Sequence, residues 1–269
     1  MACGKRARVG CVLYILVLRP RILKLLNYNL PMLYHLWFLF LARTAHCLWH
    51  TTFCVVTAGR NVSYVNETVA SFQEQRVFQQ DGAALVVVDV DGSAGMGSFS
   101  VRLDNREFAA CDTPDTVGMP SCKVRQMTLD VTSALALCAN QTTGWVVLAE
   151  DDCVACAGAV TEVIDTLQVL SPLDTAMAKF SKFSRGMAIP AGKVPAFVQF
   201  SRSRLYTHPY DITQVENWDQ HQGGGRIYVH KRNLFHHIGT VSTERARNTQ
   251  EFLAQFGEFR SDVCFEDLG

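Results

Sequence analysis

The residues with the clearest chemical potential stand together at 145–152, Trp-Val-Val-Leu-Ala-Glu-Asp-Asp, an apolar run that ends in three consecutive acids. Such a run reads as a buried strand that delivers carboxylates to its C-terminal end. Hard divalent cations such as Mg²⁺ and Mn²⁺ take oxygen ligands, usually one or two carboxylates together with the phosphate oxygens of a bound nucleotide. Glu150, Asp151 and Asp152 are therefore candidate holders of a metal-diphosphate unit, and Asp152, at the strand end, is the first choice as ligand of the ion. The plain alternative is a strand that stops in a solvated acidic turn. Two arginines add to the set, because a forked guanidinium matches phosphate oxygens. Arg60 ends the first predicted strand and Arg125 opens the helix before the acids, with exposed salt bridging as the competing role for each. Cys153 and Cys156 form a CxxC beside the acids, but the chain supplies no second CxxC or HxxxH to complete a zinc site. A disulfide or plain packing suits that pair better than zinc.

The elements that must position these groups follow from the hydrophobic pattern. Residues 53–57 read as a first strand, and 62–75 as a helix with Val62, Val65, Val69 and Phe72 on one face. Residues 84–90 form a second buried strand ending in Asp89 and Asp91, with Gly92 as breaker, and 107–110 a third short strand. The periodicity predicts helix over 123–138 and again over 157–170, then strand and turn over 178–189, helix over 192–201 and strand over 226–229. Strands alternating with helices argue for one α/β domain across 51–269, with ligands gathered at the carboxyl ends of the strands.

Charge is unevenly distributed. The chain has 269 residues with 25 bases and 25 acids. Seven of those bases (Lys5, Arg6, Arg8, Arg19, Arg21, Lys24 and Arg43) lie within residues 1–57, where there is no acid, so the remaining 18 bases face all 25 acids. A basic, apolar head on an acidic body fits membrane association and disfavours nucleic-acid binding by the body. Residues 25–42 are uncharged and near the lower length limit for crossing a bilayer. The expected order is a basic cytosolic tail over 1–24, a transmembrane anchor over 25–42 and a lumenal domain over 51–269, as the positive-inside rule requires. A cleaved signal peptide is the competing interpretation of the same segment. Three glycosylation sequons, at Asn61, Asn66 and Asn140, and eight cysteines from Cys47 onward fit an oxidising compartment.

Four stretches together resemble a known family. They are 55–72 (VVTAGRNVSYVNETVASF) with the strand LVVVDVD, 123–139 (KVRQMTLDVTSALALCA), 145–153 (WVVLAEDDC) and 234–243 (LFHHIGTVST). From about Thr51 to Arg247 the chain is similar to the N-acetylglucosaminyltransferase IV family, which adds β-1,4 N-acetylglucosamine branches to N-glycans. It is similar more distantly to the transferase that adds N-acetylgalactosamine to GPI anchors. The resemblance implies a GT-A-like α/β fold with a mixed sheet flanked by helices, a UDP-sugar donor with UDP-GlcNAc favoured, and Mn²⁺ or Mg²⁺ bridging its diphosphate. It further implies an inverting transfer to a glycan acceptor on glycoproteins or glycolipids, by a single-pass type II Golgi membrane enzyme. By the same resemblance His237 would bind the metal or the diphosphate, and Asp211 of His-Pro-Tyr-Asp would be the general base. An N-cap role competes at Asp211, and Glu216 is a further candidate base. Residues 207–225, with Gly223-Gly224-Gly225, depart from the family pattern. Two other functions stay open: a catalytically silent lumenal homologue that binds glycans or partners, and GalNAc transfer to a GPI glycan. A metal-dependent phosphoesterase would need a second cluster of His and Asp ligands, which the sequence does not show at convincing spacing.

Overall fold

The computed structural model of the protein describes residues 51–59, 64–77, 80, 82–93, 100–111, 120–181, 186–207, 218 and 225–238. The chain divides after Cys47, and all described residues lie in the unit Leu48–Gly269. The strands are β1 (Thr51–Thr57), β2 (Ala83–Asp89), β3 (Ser100–Arg102), β4 (Trp145–Glu150), β5 (Cys153–Ala155), β6 (Thr175–Lys179), β7 (Met187–Pro190), β8 (Arg226–Val229) and β9 (Phe235–His237). The helices are α1 (Val65–Glu74), α2 (Cys122–Ala139), α3 (Ala159–Val169) and α4 (Val194–Ser203).

Every residue of β1 is buried, which is the signature of a central strand covered on both faces. The main sheet runs β3-β2-β1-β4-β7-β6-β8. β3, β2, β1 and β4 are mutually parallel, β7 runs antiparallel to both β4 and β6, and β8 is parallel to β6. Side chains alternate across the sheet, so Phe53 and Val55 pack with Val65, Phe72, Val160 and Val163 on the α1/α3 side. Cys54 and Val56 pack with Leu135, Val194, Phe197 and Trp218 on the other side, against α2 and α4. The result is a mixed sheet between two helical layers. One disulfide, Cys54–Cys138, ties β1 to the end of α2, and another, Cys111–Cys122, ties the preceding loop to its start.

For the site, register is what matters. Thr57 of β1 lies opposite Asp89 of β2, and Val56 lies opposite Glu150 of β4. Three parallel strands thus end level with one another along a single edge. α2 starts beside that edge because Ser121 caps it, its side chain accepting from the Val124 N–H at 3.3 Å.

Several expectations change. Residues 107–110 are not a strand, and β3 forms at 100–102 instead. Their backbone groups are taken by α2 side chains: Ala109 N–H donates to Gln126 Oε1, while Gln126 Nε2 donates to Glu107 O. The single strand and turn expected over 178–189 resolves into the antiparallel pair β6 and β7, and β5 was not anticipated. The expected cytosolic tail and anchor lie outside the described residues. Among the described residues no helix is long and apolar enough to cross a membrane.

Candidate metal centre and adjoining cleft

Glu150 is the last residue of β4, Asp151 and Asp152 make a turn, and Cys153 begins β5. A polar stripe on α1 fixes that turn. Thr68 donates its hydroxyl to Asp151 O at 2.8 Å, Ser71 Oγ accepts from Ala155 N–H at 3.0 Å, and Gln75 Nε2 donates to Ala155 O at 3.0 Å. Gln75 Oε1 also accepts from Val160 N–H at 3.0 Å, at the start of α3. Residues three and four apart share a helix face, so one turn after another of α1 grips successive backbone groups of the acidic segment. Sequence reading identified the neighbouring apolar face of this helix and missed the stripe. Three hydrogen-bonding side chains at 68, 71 and 75 were the available signal.

The three acids then part company. Asp151 is fully buried, and its Oδ2 accepts the Thr57 hydroxyl at 2.8 Å, which anchors the turn to the end of β1. Glu150 is half-buried and borders a cleft. Asp152 places Oδ2 3.2 Å from His237 Nε2. That approach follows from register: β5 and β9 pair antiparallel with Cys153 opposite His237 and Val154 opposite His236. Directly opposed residues share a face and their neighbours take the other, so His237 joins Cys153 while His236 does not. Ile238 N–H donates to Asp152 O at 2.9 Å and closes the arrangement.

β9 is held from behind as well. Leu234 N–H donates to Phe180 O at 2.8 Å, and Ser181 Oγ donates to Phe235 O at 3.2 Å. Gly186 passes so close that a Cβ there would lie 2.2 Å from the Phe235 ring, and its φ of +63° is a left-handed value that favours glycine.

One donor atom each from Glu150, Asp152 and Cys153 lies within 4.8 Å of the others. This donor set, with the His237 imidazole beside Asp152, is of a kind that could hold a divalent cation. The CxxC is not a disulfide: Cys153 carries a buried thiol, whereas Cys156 is disulfide-bonded.

Next to this cluster, at the ends of β1 and β2, is a cleft of 260 Å³ bordered by Thr57, Gly59, Asp91, Lys123, Gln126 and Glu150 among others. Two of its acids, Asp91 and Asp130, share the guanidinium of Arg106. Arg106 makes a two-pronged contact to Asp130, with Nε to Oδ1 at 2.9 Å and Nη2 to Oδ2 at 2.7 Å, and lies 4.0 Å from Asp91. Asp91 Oδ2 accepts from Gly59 N–H at 2.9 Å, while Ser93 gives its N–H, at 3.1 Å, and its hydroxyl to Oδ1. Desolvation pushes the Asp91 carboxyl upward, but Ser93, the Gly59 N–H and Arg106 together hold it below the ordinary carboxylate value. Hydrogen bonding to Asp130 raises Arg106 despite its partial burial. Of these groups the sequence signalled only Asp91, as a strand-end acid.

Arg125, expected to reach phosphate, is buried. Its Nη1 donates to Pro120 O at 2.9 Å and its Nη2 to Ala110 O at 3.2 Å, and it sits 5.3 Å from the centre of the Tyr206 ring. Helical periodicity explains this, since Lys123, Gln126 and Asp130 form the cleft-facing row and position 125 falls beside it. Arg60, Asp211 and Glu216 lie outside the described residues, as does the sequon asparagine Asn61. Asn66 and Asn140 are exposed, while the hydroxyl residues of their sequons, Thr68 and Thr142, are buried.

No protein-family model matches this chain, and a comparison with curated proteins gives no match. Several solved structures are similar to it. One is the galactosyltransferase LgtC in complex with donor and acceptor sugar analogues, at 12% identity and a TM-score of 0.40, covering 66% of this chain and 72% of that one. Another is a putative glucose-1-phosphate thymidylyltransferase from Bacillus anthracis, at 11% identity and a TM-score of 0.41, covering 80% and 97%. A mycobacterial protein is similar at 16% identity and a TM-score of 0.31, covering 51% and 41%. Overlaps of this size define neither family nor activity, so the chemistry has to come from the residues.

Proposed function

We propose that the protein is a metal-dependent glycosyltransferase that moves a sugar, GlcNAc in the favoured form, from a UDP-sugar to a glycan acceptor. The observation that carries this reading is the meeting of Asp152 and His237 at 3.2 Å, beside the carboxyl end of a central parallel strand and next to a cleft. Ligands of open α/β sheets bind at such strand ends. The four stretches similar to the N-acetylglucosaminyltransferase IV family support the same reading.

In this account Glu150, Asp152 and His237 would hold the cation, which would supply Lewis-acid stabilisation of charge on the departing diphosphate. Asp151 does not face the donor. It anchors the turn through Thr57, so that its two neighbours keep a fixed geometry. Gln126, Lys123 and the Asp91 region line the space offered to the nucleoside. Asp211 is retained as the proposed general base that takes the proton of the acceptor hydroxyl. The disulfide-bonded cysteines, Cys54–Cys138 and Cys111–Cys122 among them, and the charge pattern support a lumenal domain of a type II Golgi membrane protein.

The test is release of UDP from a panel of UDP-sugars, UDP-GlcNAc and UDP-GalNAc first, with Mn²⁺ and then with chelator, for the native chain and for Asp152→Ala and Asp211→Asn. Chelator-sensitive release that both substitutions abolish supports transfer. Glycan binding without any UDP release would refute it in favour of a catalytically silent lectin-like role.

A further inference from the structure

The donor set beside Asp152 contains one atom that a site for Mg²⁺ does not use, the sulfur of Cys153. We propose that Cys153 is itself a metal ligand, and that the centre selects a borderline-soft divalent ion of the zinc and cobalt class over Mg²⁺. This rests on the reading that Glu150, Asp152 and His237 hold a cation, and it specifies which cation.

Three observations carry it. First, position: Cys153 is fully buried, its Sγ lies 3.8 Å from Asp152 Oδ1, and it belongs to the group whose donor atoms lie within 4.8 Å of one another. Second, register: Cys153 is the cross-strand partner of His237, so sulfur and imidazole are presented on the same face of the β5/β9 pair. Third, redox state: among the described residues Cys54, Cys111, Cys122, Cys138 and Cys156 are disulfide-bonded, and Cys153 alone keeps a thiol. The sulfur is thus grouped with two carboxylates, one of which, Asp152, also touches the His237 imidazole.

The chemistry of that combination is selective. Mg²⁺ requires near-octahedral oxygen coordination and keeps several waters, and Mn²⁺ stands lowest in the affinity series of divalent first-row metals. Thiolate with imidazole and carboxylate instead suits a four-coordinate Zn²⁺ or Co²⁺. As the sulfur-metal bond forms, the thiol proton passes to solvent, so the sulfur enters as thiolate.

The test uses the full chain and Co²⁺ as a spectroscopic stand-in. The expected result is a thiolate-to-Co²⁺ charge-transfer absorption in the near ultraviolet that Zn²⁺ abolishes by displacement and that an equal concentration of Mg²⁺ leaves intact. Cys153→Ser loses the band and weakens Zn²⁺ by more than the roughly 10- to 100-fold that outer-shell partners cost. His237→Gln keeps the band while weakening Zn²⁺ by at least about 10-fold. Co²⁺ bound to the native chain without the band overturns the proposal, whether or not the serine variant folds. So does a band that survives in a folded Cys153→Ser protein, or a failure of Co²⁺ to bind at all. If the band is missing while Mn²⁺-dependent UDP release persists, cysteine ligation falls and the transfer reading stands. A band without turnover of any UDP-sugar has the opposite meaning.

Discussion

Two neighbouring regions of one sheet edge deal with negative charge in opposite ways. In the cleft at the ends of β1 and β2, Asp91 and Asp130 are matched by Arg106, Ser93 and the Gly59 N–H, all within the protein. In the cluster where β4 meets β5, Glu150 and Asp152 instead converge with a thiol, and Asp152 also touches the His237 imidazole. A carboxylate held by a guanidinium is already balanced and serves to shape a surface. Carboxylates gathered with metal-type donors are balanced by bringing a cation in. On the proposed reading, the first region would take an uncharged polar group such as a nucleoside, and the second would draw in a cation beside the anionic part of the ligand.

The comparison breaks most directly under one substitution in each region. Asp152→Asn should lower metal-dependent turnover by about 100-fold or more, the scale seen when a transition-state electrostatic contact is lost, with little change in unfolding midpoint. Asp130→Asn should do the reverse. Breaking a largely buried ion pair costs about 3 kcal/mol, and it leaves the Arg106 guanidinium without its main partner. Steady-state kinetics and urea unfolding on both variants decide the matter. An Asp152→Asn protein that is fully active but unstable would mean that this carboxylate is structural like Asp151.

The next effect concerns how β9 is placed. Gly186→Ala should destabilise by about 1–3 kcal/mol, the usual cost of overpacking, because the added methyl meets the Phe235 ring. Phe235 is two residues before His237, so metal affinity should fall along with stability. Gly158→Ala is the control: φ there is +80°, yet nothing lies within 4 Å of the added carbon. That variant should show a backbone cost of roughly 1–2 kcal/mol and unchanged metal affinity. Equal loss of metal binding in both variants would show that β9 is not the element that matters.

A third, similar-sized effect tests the grip of α1. Thr68→Ala removes the hydroxyl that satisfies the buried Asp151 carbonyl, at a cost of about 1–3 kcal/mol. It also destroys the Asn66 sequon, so Asn66→Gln must be measured beside it. Asn66 is exposed, and its substitution should leave unfolding of unglycosylated protein unchanged. Should the two variants behave alike in that material, the stripe on α1 contributes nothing to the acidic turn.

What could be read from residues alone divides along the same line as these effects. Central strands such as β1 and β4 are continuous apolar runs, because burial on both faces leaves no alternation to misread. α2 follows its periodicity to within a residue at each end. β8 was bounded correctly because Gly225 precedes it. Most of the failures are non-local. β5 is three residues long and is a strand only because β9 lies beside it. Residues 107–110 have strand-like composition, but side chains of α2 take their backbone groups first. Arg125 was assigned by its position near a helix start, where the face it occupies decides its role. Cys153 was read with Cys156 as a local pair, whereas its relevant neighbour, His237, lies on another strand.

The smallest effect lies in the cleft and concerns acid. The Asp91 carboxyl is held below its ordinary value in the folded protein, against desolvation, by Ser93, the Gly59 N–H and Arg106. A depressed folded value means that the unfolded chain takes up the proton first as pH falls. Stability from this group is then complete above the ordinary carboxylate value of 3.8 and is lost as pH drops through the lower folded value. Asp91→Asn mimics the protonated form, so it should unfold more easily than the native chain near neutrality, by under about 1 kcal/mol for a pair this open to solvent. The gap should close as pH falls below the lowered folded value and should shrink in salt, because the contact with Arg106 is partly screened. Urea midpoints across that range measure it. A gap that stays constant with pH would mean that the carboxylate's charge contributes nothing, leaving only its hydrogen bonds to shape the cleft.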